Sequence, residues 1–216
     1  MRNRYHLLVF DWDGTLFDSI GWIVESIQRA AAICQCRVPS DEAARSVIGL
    51  SLDGAMSELF PAATGPTTTR LVEEYRRIYL ARKFGEDDLF PQVREMLQTL
   101  QDSGYKLAVA TGKTRGGLIE AMGATGTRRF FDAVRSADET ASKPHPEMLL
   151  QLMGELEVAP ERTLMVGDSL HDLRMARNAG VDAVAVSCGA NSRQQLCELE
   201  PLLCLEQTAA LLPLLV

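Results

Sequence analysis

Five short apolar runs punctuate the chain. The first, Leu7-Leu8-Val9-Phe10, has no polar position at all, the pattern of a strand buried on both faces as in a parallel sheet. Residues 106–110, 133–136, 163–166 and 183–187 read as four more strands. Stretches of helical period separate most of them: 92–101, apolar at Val93, Met96, Leu97 and Leu100, and 146–156, which is followed by Pro160. Alternation of this kind predicts βαβ units and an α/β fold with a parallel sheet. Right-handed crossovers then place the carboxyl ends of all the strands on one side.

The stretch from Phe17 to Gly85 breaks the alternation. Ile20, Ile23, Val24, Ile27 and Ala31 keep helical spacing, as do Leu71, Tyr75, Ile78 and Tyr79, and 41–48 and 53–60 are shorter helical candidates. No strand interrupts it. It predicts a small all-helical domain, residues 17–85, inserted after the first strand of a core formed by 1–16 and 86–216. Its joints are expected at 16–19 and 85–91, where Gly, Asp and Pro cluster.

Composition narrows the partners. With 216 residues, 46% hydrophobic and 24% charged, the chain has the make-up of an ordinary globular protein. A net charge of −7 excludes nucleic acid as a partner, and it requires an anionic substrate to be drawn in by a local site. Only four apolar residues precede Asp11, so no leader is expected, and the apolar stretch 209–216 is too short to span a bilayer and contains Pro213. The five cysteines have no zinc-site spacing and are expected to be reduced, mostly buried thiols in a cytoplasmic protein. Both a monomer and a homodimer are compatible with the sequence.

Chemistry-bearing residues fall at the predicted strand ends. Asp11 and Asp13 follow the first strand, with Gly14 allowing a sharp turn. Thr111 and Gly112 follow the second, and Gly167-Asp168-Ser169-Leu170-His171-Asp172 follows the fourth. Lys143 lies in Ser142-Lys143-Pro144-His145-Pro146, a rigid loop before a helix. Taken singly these are a turn, a cap, a solvated lysine and an acid in a first helical turn. Their shared address is what those readings leave unexplained. Like charges about 4 Å apart repel by about 4 kcal/mol at an effective dielectric near 20. A hard dication relieves that repulsion, and Mg²⁺ takes one or two carboxylates and completes its shell with water and substrate phosphate. The constellation therefore predicts Mg²⁺ and a phosphorylated substrate.

These four segments, in this order, resemble the motifs of the haloacid dehalogenase-like hydrolases, specifically phosphatases with a Rossmann-like core and a helical cap inserted after the first motif. Leu16-Phe17-Asp18-Ser19, Ile48-Gly49-Leu50 and Lys143-Pro144-His145-Pro146 are most similar to phosphoglycolate-phosphatase-like members. The resemblance implies that Asp11 is a nucleophile forming an aspartyl-phosphate and that Asp13 is the general acid and base. It implies that Thr111 and Lys143 hold the phosphoryl oxygens, assisted by N–H groups near Asp13, Gly14 and Gly112. Mg²⁺ would be bound by the Asp11 carboxylate, the Asp13 carbonyl and Asp168, with Asp172 orienting waters behind them.

Lys113 is a candidate for the anionic end of the substrate, and Arg115 another, exposed charges at a helix start being the plainer reading. Gly49, Leu50, Ser51 and Leu52 of the cap are expected to face the site, and being small and neutral they suggest a compact leaving group. A small phosphorylated metabolite such as phosphoglycolate is the expected substrate, with sugar phosphates, nucleotides and pyrophosphate as further possibilities. A β-phosphoglucomutase-like phosphomutase, or a phospho-accepting protein without turnover, are the alternative functions. His6, His145 and His171 have no metal-ligand spacing, and Trp12 is expected to pack rather than react.

Overall fold

The computed structural model describes residues 1 and 3–216. One parallel sheet holds six strands in the order β3-β2-β1-β4-β5-β6. They are β1 (Leu7–Phe10), β2 (Lys106–Thr111), β3 (Ala133–Ser136), β4 (Thr163–Gly167), β5 (Asp182–Val186) and β6 (Leu203–Leu205). The first five are the apolar runs of the sequence, each within a residue of its expected ends. β6 is additional: three residues at the sheet edge with Leu203 exposed, too short to show a period.

β1 is central. Leu8 and Phe10 face α5 (Val93–Asp102) and α6 (Arg115–Ala124) through Val93, Met96, Leu97 and Leu118. Leu7 and Val9 face α7 (Glu147–Glu155) and α8 (Leu170–Asn178) through Met148, Leu149, Leu152 and Met175. All four strand side chains are fully buried, each stabilising the fold by about 1.5–3 kcal/mol. In register, Phe10 lies beside Val109 of β2 and Val166 of β4. The residues that follow each of these three strands therefore emerge side by side at the carboxyl edge of the sheet.

Four helices lie between β1 and α5: α1 (Ile20–Ile33), α2 (Asp41–Ser46), α3 (Leu52–Leu59) and α4 (Gly65–Tyr79). Ser40 and Ser51 cap α2 and α3, their hydroxyls accepting the N–H groups of Ala43 and Gly54. Ile20, Ile23, Val24 and Ile27 of α1 meet Leu71, Val72 and Tyr79 of α4 in a hydrophobic cluster of their own. The connections into and out of this segment run together, with Asp18 N–H donating to Asp88 O (2.8 Å) and Phe90 N–H to Leu16 O (3.0 Å). Trp12 is fully buried and stacks on Phe17, a packing role as its position implied. The cysteines are free thiols but not mostly buried: four are half-buried and Cys197 is exposed. Among the described residues no helix is long and apolar enough to cross a membrane.

Candidate active site

Asp11 leaves β1 with its N–H donated to Val166 O on β4 (2.9 Å), which carries its carboxylate to the carboxyl edge of the sheet. Lys143 Nζ donates to Asp11 Oδ1 (2.7 Å) and to Asp172 Oδ1 (2.6 Å), all three side chains being buried. Asp168 follows β4, and its two oxygens accept from Thr15 Oγ1 (2.8 Å) and Ala190 N–H (2.7 Å). Asp172 is set by a reciprocal cap at the start of α8, where its Oδ2 accepts from the N–H and the hydroxyl of Ser169. Carboxylate oxygens of Asp11, Asp168 and Asp172 lie within 4.8 Å of one another. The structure thus joins the ends of β1 and β4 to the loop before α7 as the sequence predicts. Asp172, with both oxygens engaged by protein, holds Lys143.

Gly14 makes the sharp turn expected of it, but its N–H is turned away from the site. Its N–H is given to Phe17 O (2.8 Å) and cannot be offered to a phosphoryl group. Its φ of +82° is open to few residues but glycine, and a Cβ there would collide with Asp168 Oδ2, as would one at Gly189. Asp168 is packed between two glycines that make room for it. Thr111, 1% exposed, presents its hydroxyl at the same edge, and among the described residues the N–H groups of Asp13 and Gly112 have no acceptor.

Three buried carboxylates and one buried ammonium leave a net charge of about −2 in a space that excludes water, and the proton affinities register it. Burial raises the Asp11 carboxyl well above the usual carboxylate range, with the charges of Asp172 and Asp168 adding to it against Lys143. Asp168 is pushed up to about 7, by burial first and then by Asp172. Burial alone would lower Lys143, but Asp11 and Asp172 outweigh it and keep the ammonium charged. A donor set made only of oxygens, with a surplus of two negative charges, fits a hard dication such as Mg²⁺.

Asp13 stands apart from this cluster. Ser19 Oγ donates to its Oδ1 (2.6 Å), and Lys113 Nζ bridges both its oxygens at 2.9 Å. The same ammonium donates to the hydroxyl of Tyr79 on α4 (2.8 Å). Lys113 is therefore not an exposed charge at a helix start. It is drawn inward because Asp13 lacks any other cationic partner among the described residues, whereas Arg115 pairs with Glu139.

A cavity of about 240 Å³ opens from Asp11, Asp13, Thr111 and Gly112 toward the helical segment, where Gly49, Leu50 and Leu52 line it. Ser51, expected beside them, caps α3 instead and gives its N–H to Ser142 Oγ (2.9 Å), next to Lys143. His171 Nε2 lies 2.9 Å from Ser46 O and must donate, since a carbonyl only accepts. His145 accepts the Glu147 N–H at the start of α7, a structural role. Sequence reasoning gave no role to Thr15, Ser19, Ser142 or Tyr79. Thr15 closes the first motif and Ser19 follows it by four residues, and two hydroxyls so near two acids were a usable signal. Nothing local marks Tyr79, which reaches the site only through the packing of α4.

Strand order, parallel register and a cluster of acids with one lysine at the carboxyl edge define a doubly wound α/β protein whose candidate site lies at its switch point. The chain belongs to the haloacid dehalogenase-like hydrolases, whose family model matches residues 8–186. It is 36% identical over 199 residues to the probable phosphatase IndB of Dickeya dadantii, covering 90% of this chain and 86% of that protein. It is 30% identical to a phosphoglycolate phosphatase of Mannheimia succiniciproducens, over 93% of this chain and 94% of that one. The crystal structure of a hydrolase from Pseudomonas syringae has the same fold, with a TM-score of 0.87 at 21% identity over 96% of each chain.

Proposed function

We propose that this protein is a Mg²⁺-dependent phosphatase that hydrolyses a small phosphate monoester through an aspartyl-phosphate on Asp11, phosphoglycolate being the reference substrate. The observation that carries the reading is the environment of Asp11. One of its oxygens is held by Lys143 and the other accepts no hydrogen bond among the described residues, and Asp11 lines the cavity together with Thr111 and Gly112. Residues 17–85 form the cap in this reading, over a core of 1–16 and 86–216, with joints paired through Asp18, Asp88, Leu16 and Phe90.

The free oxygen of Asp11 attacks phosphorus while the bond to the ester oxygen breaks, and Asp13, entering this step in its protonated form, gives that oxygen its proton. In the second half Asp13 takes a proton from water, whose oxygen attacks phosphorus and releases the Asp11 carboxylate. Lys143, the Thr111 hydroxyl and the Gly112 N–H hold the phosphoryl oxygens, and Lys113 keeps Asp13 in place. The Asp11 carboxylate, the Asp13 carbonyl and Asp168 would hold Mg²⁺, which supplies charge neutralisation to the phosphoryl group. Positioning and neutralisation supply most of the acceleration in such transfers. Asp11→Asn tests the reading: phosphate release with Mg²⁺ should vanish while the circular dichroism spectrum is unchanged. Ordinary turnover in that variant would overturn it, and isomerised product in place of free phosphate would mean a mutase.

A further inference from the structure

The cap wall of the cavity carries information about the leaving group. Ile23 and Ile27 of α1, Val47, Leu52 and Ala55, and the ring of Tyr75 line it. None of these carries a charge. The lining cation that is not exposed is Lys113, and its three N–H donors are already placed, two on the oxygens of Asp13 and one on the hydroxyl of Tyr79. A substrate carboxylate would have to take Lys113 away from Asp13 or lie unpaired among aliphatic side chains, and an unpaired buried charge is strongly disfavoured. Arg76 and Glu120 also line the cavity, but both are exposed and their charges are opposite.

Size points the same way. An apolar protein cavity of about 150 Å³ accepts benzene. This one, of about 240 Å³, has room for a phosphoryl group at Asp11 and a ring or branched hydrocarbon at the cap. Glycolate would leave the aliphatic end empty. We propose that the preferred substrate is the phosphate monoester of an uncharged, largely apolar alcohol of ring size, its hydrocarbon part held by Ile23, Ile27, Leu52 and Tyr75. The inference rests on the phosphatase reading above and deepens it.

The test is phosphate release with Mg²⁺ from benzyl phosphate, phosphoglycolate and acetyl phosphate, the last a small activated donor that makes little demand on the cap. Benzyl phosphate is expected to exceed phosphoglycolate in kcat/KM by about 10-fold or more, the equivalent of two buried methylene groups. Leu52→Arg, which places a cation on the wall, is expected to reduce that ratio by a similar factor, with circular dichroism reporting the fold. Phosphoglycolate matching or exceeding benzyl phosphate in the wild-type enzyme overturns the inference and leaves the phosphatase reading standing, whether or not the variant folds. Release of phosphate from none of the three overturns both.

Discussion

Gly112 of the core packs directly under the Gly49–Leu50 backbone of the cap, and replacing it with alanine isolates that contact. A Cβ on Gly112 would lie 2.7 Å from the carbonyl oxygen of Gly49 and nearer still to that of Leu50, inside the 3.0 Å that real Cβ contacts essentially never breach. Both obstacles are backbone atoms, so no rotamer change relieves the clash, and the Gly49–Leu50 segment must retreat. Three well-formed hydrogen bonds hold the cap to the core, beside a longer one from Arg45 to Gly189 O (3.3 Å): Ser51 N–H to Ser142 Oγ (2.9 Å), His171 Nε2 to Ser46 O (2.9 Å) and Lys113 to Tyr79 (2.8 Å). At a net value near 1 kcal/mol each, their loss disfavours the closed arrangement by about 3 kcal/mol, or roughly 100-fold in population. The retreat also admits water beside Asp11. kcat/KM for a phosphate ester should therefore fall by about two orders of magnitude in Gly112→Ala, measured by phosphate release. The melting temperature should hold, because the clash is met by separation rather than unfolding. Gly116→Ala, with nothing within 4 Å of its added methyl, is the control. Wild-type kcat/KM in Gly112→Ala would refute the reasoning, since closure against that glycine would then be unnecessary.

Lys143→Met removes the one ammonium between Asp11 and Asp172, both buried. The variant should lose about 3–5 kcal/mol of stability and melt some 10 °C lower, and Mg²⁺ should recover part of the loss; an unchanged melting temperature without Mg²⁺ would contradict the charge arrangement. Asp168, pushed up to about 7, holds in the folded protein a proton that the unfolded chain releases near pH 4. Its contribution to metal-free stability is thus full below pH 4 and lost as pH rises through 7, while Mg²⁺ must displace that proton. Apparent Mg²⁺ affinity by thermal shift should be about 100-fold weaker at pH 5 than at pH 8, and equal affinities would sink the argument. The Cys188 thiol, raised to about 11 chiefly by burial, should react with iodoacetamide at pH 8 far more slowly than exposed Cys197, as mass spectrometry of the labelled peptides would show.

The fold was legible wherever burial imposes a period. β1 carries no polar residue because both its faces are covered, and α1 and α4 show helical spacing because they bury one stripe each against the other. β6 was not legible: an edge strand of three residues needs only one half-buried face and leaves no run to detect. The site divides along the same line. Asp11, Asp168 and Lys143 could be found because strand ends are addressed by topology, and topology is written in the order of the runs. The fate of Lys113 could not be found, since its choice between solvent and Asp13 depends on Tyr79, 34 residues away, arriving with α4. The turn at Gly14 is readable from the sequence, whereas only Asp168, 154 residues on, shows that its missing Cβ is also space for a carboxylate.

The two lysines show how one site serves two needs of charge. Lys143 sits among three carboxylates and leaves them in negative surplus. Lys113 meets a single carboxylate and neutralises it, so Asp13 needs no metal to remain in place. Exchanging the two arrangements would spoil both. In the proposed mechanism a fully neutralised Asp11 cluster would have no call on Mg²⁺, and an Asp13 left in surplus would compete with the phosphoryl group for the cation. The separation follows from the backbone: an extended chain would put residues 11 and 13 on one side, and the bend at buried Trp12 turns Asp13 toward a different neighbour. On β1 a single strand end thereby supplies one carboxylate to a charge-deficient cluster and another to a closed ion pair.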